Sequence, residues 1–246
     1  MSRLVVVPRN DVLEMAEISR IFMFNHKEDV LLEQRNLLFW RSLLGHVQAD
    51  RAVEEGATVL DMGCHRGGLL SLVIDRFKPA QVIGLEPLVK ARASAEQCLQ
   101  GRGVDVLILD QARWDRIATA SVGLLLSHEV LPFIEDDQMI MNEVHRVLKP
   151  SCFAYFAVGC HTENPLWPAW KQELENQGHT VYDHAPLDIM RAAGEAGLFP
   201  SLRPLRETGW VHYNPVTQNE FEYPSATSLL DHQFKHKLLF RFERQP

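Results

Sequence analysis

Asp61, Gly63, Gly67 and Gly68, in the run VLDMGCHRGG from Val59 to Gly68, have the types and spacing to hold a nucleotide-like cofactor. A strand ending in a carboxylate would run into a turn whose glycines let the backbone bend tightly and approach a ligand without a Cβ. A helix expected from about Leu69 would then point its unpaired N–H groups at the same cleft. Glu86 stands 25 positions after Asp61, about the separation of a ribose-binding acid on a neighbouring strand. Its carboxylate can accept hydrogen bonds from both ribose hydroxyls. Glycine turns of this kind also occur in dinucleotide dehydrogenases and in turns that bind nothing. On the reactive side, Ser127, His128 and Glu129 close an apolar run. A histidine takes up a proton near neutral pH, and Glu129 can orient it or a substrate amine. The plainer role for His128 is a hydrogen-bonded structural one. His161 and Glu163 hold a similar position after the next run. Trp167, Trp170, Tyr182, Trp210 and Tyr213 offer walls for an apolar or aromatic substrate, although core packing would also account for each of them.

These groups need an open sheet to bring them to one edge. Val59 to Asp61, Gln81 to Pro87, Val104 to Asp110, Val122 to Ser127 and Cys152 to Val158 are short apolar runs, as strands covered on both faces should be. Ahead of them, Asn10 to Arg51 contains two helical patterns, one on Val12, Met15, Ile18 and Phe22 and one on Leu31, Leu38, Trp40 and Leu43. Amphipathic helices of this kind cap a sheet, and their cleft-facing side can serve as a lid. Pro186 to Phe199 reads as a short helix with a glycine stop, and Lys237 to Arg244, KLLFRFER, as a strand whose Leu238, Phe240 and Phe242 share a face.

Acid-x-Gly-x-x-x-Gly at the end of a first strand resembles the first motif of the class I, Rossmann-like S-adenosylmethionine-dependent methyltransferases. The family usually has a further glycine where this chain has His65. The resemblance continues through Glu143 to Pro150, EVHRVLKP, similar to the family's helix end and turn before its fifth strand, where Ser151 and Cys152 replace the usual glycines. It is firm over about residues 56–160 and looser over the last quarter. It implies an α/β fold with a seven-stranded, mostly parallel, doubly wound sheet, closed by an antiparallel last strand and capped by N-terminal helices. One domain is expected over 1–246: a helical cap at 1–55, a cofactor core at 56–160, and substrate-side additions with the closing strands at 161–246. The implied cofactor is S-adenosyl-L-methionine. Asp61, Gly63, Cys64, His65 and Gly67 would surround its methionine part, and Glu86, with Pro87 beside it, its ribose. Asp110 and Gln111 would meet the adenine, with Ser127 at the edge of the site; the plainer role for Asp110 is a strand-end cap. His128 and Glu129 are the candidate catalytic residues.

Composition narrows the partner. With 32 acids against 25 Lys and Arg and no basic run, the chain lacks the footprint for phosphate-backbone binding. A small-molecule substrate is expected rather than nucleic acid. None of the 11 histidines falls in a recognisable ligand spacing, and no metal is expected. The four cysteines, Cys64, Cys98, Cys152 and Cys160, read as reduced thiols. With no apolar run of about 18 residues, a cytoplasmic protein away from membranes is expected, as a monomer or homodimer. The expected reaction is in-line methyl transfer to an oxygen or nitrogen nucleophile. Two alternatives stay open: an enzyme of the same fold that transfers another part of the cofactor, and a methyltransferase-like binding protein, which His65 would suit.

Overall fold

Apolar runs of five to seven residues fold here as strands because helices cover them on both sides. The computed structural model describes residues 26–213 and 223–246, with side chains from residue 35 onward. The first N-terminal helical pattern, on Val12 to Phe22, lies outside the described residues. The second is α1, His26–Ala49. The elements that follow are β1 Thr58–Met62, α2 Gly68–Phe77, β2 Gln81–Leu85, α3 Val89–Leu99, β3 Asp105–Leu109, β4 Val122–His128, α4 Asp137–Val147 and β5 Leu148–Val158. The chain continues with α5 Trp167–Asn176, α6 Pro186–Glu195, β6 Leu198–Pro204, α7 Ala226–Asp231 and β7 Leu238–Arg244.

The seven strands form one sheet in the order β3-β2-β1-β4-β5-β7-β6. β1 to β5 are parallel, and β7 runs antiparallel between β5 and β6. The expected seven-stranded, mostly parallel doubly wound sheet is the fold observed. Strand order reverses between β1 and β4, where Met62 pairs with Ser127. Open α/β sheets bind ligands at such a reversal, beyond the carboxyl ends of the strands.

Alternation along each strand divides the core. Val59, Leu124, Leu126, Tyr155 and Leu239 face Trp40, Leu43, Leu44 and Val47 of α1 and Leu69 and Val73 of α2. Leu60, Leu125, Phe156, Phe240 and Phe242 face Ile140, Met141 and Val144 of α4 and Ile189 and Ala193 of α6. Phe240 and Phe242 are fully buried, and each such side chain contributes about 1.5–3 kcal/mol. That burial is what holds the last strand between β5 and β6.

Local signals set the helix ends. Asp136 caps α4 by accepting from Met139 N at 2.9 Å. Pro186 opens α6, and Gly197 follows it at φ +86°. One boundary differs from expectation. The LKP segment, read as a turn, begins β5: Val122 pairs with Leu148, but Leu124 pairs with Phe153, so residues 149–152 bulge out between them. Ser151 carries the bulge at φ +60°, in the left-handed region that glycine would occupy more readily.

Candidate active site

The turn after β1 follows from where its backbone must go. Gly63 N and Cys64 N both donate to Leu85 O, at 2.8 and 3.0 Å, which ties the turn to the end of β2. Gly63 sits at φ +80°, and a Cβ there would stand 2.3 Å from Val130 Cγ2, so the turn also packs against the segment after β4. Gly67 caps α2 at φ +83°. His65 adopts φ +47°, a conformation that costs a non-glycine residue about 1–2 kcal/mol. In it His65 N donates to Glu86 Oε2 at 2.9 Å. At this φ the backbone of His65 lies in the left-handed region that glycine adopts readily.

Glu86 is buried, and its second oxygen accepts from Leu88 N at 2.9 Å. With two N–H groups placed on it, the carboxylate keeps lone pairs for further donors. Burial raises its proton affinity above the ordinary carboxylate range, opposed by the bonds from Leu88 and His65. Asp61 is likewise buried in β1, and burial first, then the charge of Glu86, push its carboxyl well up. Two acids this close favour a cationic or hydrogen-donating neighbour.

Arg92 of α3, absent from the sequence-based set, clamps the ends of β2 and β3. One nitrogen donates to Glu86 O at 2.6 Å, to Pro87 O at 2.8 Å and to Asp110 Oδ2 at 2.8 Å. Asp110 Oδ1 accepts from Ala112 N at 3.0 Å, the strand-end cap that its position also allowed. Beside it, both amide atoms of Gln111 are buried with no hydrogen-bond partner. Leaving one buried polar atom unpaired costs about 1–3 kcal/mol, so an idle amide at the sheet's carboxyl edge fits a ligand with matching donor and acceptor. Cys64 turns away: its side chain packs with Leu70, Ile74, Val82, Ala95 and Leu99, and a Cβ on Gly84 would stand 2.5 Å from its Sγ. Its contribution to the turn is backbone. Pro87 is exposed, and Ser127 is buried opposite Met62.

On the reactive side, the structure joins His128 and Glu129 to residues that local sequence did not indicate. Glu129, at φ +57°, accepts from Gly159 N at 2.9 Å and Cys160 N at 3.3 Å. It also forms an ion pair with Lys237, whose side chain is 2% exposed and whose ammonium lies 4.6 Å from the Phe39 ring centroid. Burial alone would raise the Glu129 carboxyl, but the charges of Lys237 and His128 and the bonds from Lys237 and Gly159 N together outweigh it and bring it down to about 2. His128 lies against Phe39 and Trp40, at ring separations of 5.8 and 6.4 Å. Burial first, then the charge of Lys237, lower it to about 3, and its Nε2 is buried with no partner.

Three side chains converge on Gly159, where a Cβ would meet Glu129 Oε1 and His232 Cε1 at 2.8 Å and Lys237 Cδ at 3.0 Å. His232 contacts Asn164 Nδ2 at 3.2 Å and packs edge-on to Trp170 at 4.8 Å. Burial first, then Lys237, lower it to about 3.

The remaining candidates separate. Trp170 and Tyr213 gather around Tyr223. Trp167 is core, its indole donating to Asp183 at 2.8 Å. Trp210 is 86% exposed, with none of the described elements covering it. His161 is buried on His236 O at 2.7 Å, Glu163 is exposed, and Tyr182 is held through its backbone N–H on Pro132 O. No sequence signal marked Lys237 or His232, which lie more than 100 residues from Glu129.

A doubly wound sheet in this order, with a ribose-type acid beside a glycine turn, defines the class I methyltransferase architecture. Residues 60–156 match the family model described as a methyltransferase domain. A trans-aconitate 2-methyltransferase from Azoarcus sp. is 31% identical over 110 residues, 45% of this chain, and the chain spans only 40% of that relative. Among solved structures, a chain from the Haloferax volcanii complex of the Trm112 methyltransferase activator with a methyltransferase superposes with a TM-score of 0.72 at 19% identity, covering 94% of this chain and 97% of that one. Geranyl diphosphate C-methyltransferase of Streptomyces coelicolor, solved with S-adenosyl-L-homocysteine, gives 0.62 at 18% identity over 82% and 77%. The family match over residues 60–156 and the shared fold support a class I S-adenosylmethionine-dependent methyltransferase, with S-adenosylmethionine as the cofactor.

Proposed function

We propose that this protein transfers a methyl group from S-adenosylmethionine to an oxygen or nitrogen nucleophile of a small molecule. The observation that carries the reading is the Glu86 carboxylate, held by His65 N and Leu88 N beside the glycine turn. Gln111 supports it with an amide whose two buried polar atoms await partners. In this reading Asp61, Gly63, Cys64, His65 and Gly67 surround the methionine end, mostly through backbone. Glu86 and Pro87 meet the ribose, Asp110 and Gln111 the adenine, and Ser127 closes the site.

When bound, S-adenosylmethionine supplies an electrophilic methyl on a sulfonium. The chain's part is to hold a nucleophile in line, about 3–3.5 Å away, and to exclude water. Asp61, with its raised proton affinity, suits a nearby ammonium, which would draw it back to the charged form. His128, held neutral, positions the methyl acceptor by hydrogen bonding. Glu129 acts from within its ion pair rather than as a free base.

The proposed division of labour is a helical cap at 1–55, a cofactor core at 56–160 and acceptor-side elements at 161–246. The acidic composition supports a small-molecule acceptor, and a cytoplasmic monomer or homodimer is consistent with the absence, among the described residues, of any helix long and apolar enough to cross a membrane. Calorimetric titration with S-adenosylhomocysteine and with NAD tests the cofactor assignment. Saturable binding of the first is expected, and tight binding of NAD alone would refute it.

A further inference from the structure

The Glu129–Lys237 pair costs the fold something and stands just beyond β4, at the carboxyl edge where open α/β sheets bind ligands. A buried ion pair is seldom more stabilising than apolar side chains of the same size. Here it also requires Glu129 at φ +57° and a glycine at 159. Strain and buried charge gathered at the carboxyl edge of an α/β sheet point to use of the site. The pair has one structural result: both charges are spent on each other. Lys237 Nζ and Gly159 N donate to Glu129 Oε1, and Oε2 takes Cys160 N. The Glu129 side chain remains 26% exposed, so the neutralised pair borders accessible space.

Next to it His128 has a fully buried Nε2 without a partner, and its ring packs against those of Phe39 and Trp40. Burial first, then the charge of Lys237 against that of Glu129, hold the imidazole of His128 in its neutral form. His232, on the far side of Gly159, is neutral for the same reasons, with His161 and His236 its further titratable neighbours.

We infer that this end of the sheet takes its methyl acceptor as an uncharged nucleophile, an O–H or neutral N–H group hydrogen-bonded to His128 Nε2 beside Phe39 and Trp40, and that the Glu129–Lys237 pair is the positioning device that keeps carboxylates and ammonium groups out. The inference rests on the methyltransferase reading and adds the charge class of the substrate. A carboxylate would find Lys237 already paired, and an ammonium would find Glu129 already paired. The trans-aconitate relative does not set the expectation here, since its similarity spans less than half of either chain.

The test uses the full chain loaded with S-adenosylhomocysteine and three probes of one ring size: phenol, benzoate and benzylamine, titrated calorimetrically at neutral pH. Phenol should bind at least tenfold more tightly than either charged probe. Lys237→Met leaves the Glu129 carboxylate unpaired, and benzylamine should gain at least tenfold; Glu129→Gln frees the ammonium, and benzoate should gain instead. A charged probe binding the loaded parent as tightly as phenol overturns the inference, as does failure of all three to bind. Variants that take up S-adenosylhomocysteine like the parent but leave the probe order unchanged overturn it too. Where a variant does not take up S-adenosylhomocysteine, the order on the parent decides. A parent that does not bind S-adenosylhomocysteine removes the methyltransferase reading and this inference with it, whereas a wrong probe order on a loaded parent removes the inference alone.

Discussion

Glu86 is the residue on which the cofactor site turns, because its two oxygens link the glycine turn to the start of α3 and still have capacity for a ligand. Glu86→Ala should weaken S-adenosylhomocysteine binding by about 1–3 kcal/mol, since it orphans His65 N, Leu88 N and the ligand donors together; calorimetry reads the change. His65→Gly should bind about as well as the parent, within about threefold, because the backbone at φ +47° already does what glycine would do. A gain of tenfold or more would mean that the imidazole blocks the site, as the binding-protein alternative requires. Asp61, Gly63, Gly67 and Glu86 were legible in sequence because their chemistry is local: an acid at a strand end and glycines in a turn. Cys64 shows the limit, since sequence places it in the turn but not on the core side of it. Lys237 and Arg92 were illegible because a lysine or arginine reads as a solvated charge until the fold supplies its partner.

At the scale of elements, the β4–α4 connection follows the candidate residue His128, carries the candidate Glu129, and is pinned to the segment before α6. Asp137, in the first turn of α4, bonds His184 at 2.9 Å, and Tyr182 N donates to Pro132 O at 2.8 Å. Burial opposes charge on His184, but the bond and charge of Asp137 outweigh it and raise its proton affinity. A histidine raised in the folded state adds stability that is fully present below its unfolded value of about 6.5 and is lost as pH rises through the folded one. His184→Gln should therefore lower the denaturant midpoint clearly at about pH 5.5 and much less at about pH 9. An equal loss at both would show that the imidazole matters only by packing. Strand and helix types were legible from apolar runs and caps, down to the antiparallel β7. The start of β5 was not, because a bulge at Ser151 depends on pairing with β4, which LKPS does not encode locally. Gly159→Ala should disturb the reactive edge, since its methyl would enter the space of Glu129, His232 and Lys237. Weaker phenol binding with unchanged S-adenosylhomocysteine binding is the expected result, and unchanged binding of both would count against that convergence.

For the whole molecule, two ends of one sheet edge are built differently. The cofactor end is assembled from consecutive βα units, β1 to β3, so its residues recur at short intervals and can be read in order. The acceptor end draws on α1, the ends of β4 and β5, and the chain between α5 and β7, contacts spread over most of the sequence. That difference explains why the cofactor could be named from sequence while the acceptor could not, and why relatives of one fold differ in substrate. The central claim is methyl transfer to a small molecule, and incubating the chain with methyl-labelled S-adenosylmethionine and a cell metabolite extract tests it most directly. The account predicts label in a low-mass product, formed by the parent and reduced at least tenfold by Glu86→Ala at cofactor concentrations below saturation. Label that stays in S-adenosylmethionine, or appears only in protein or nucleic acid, would contradict it.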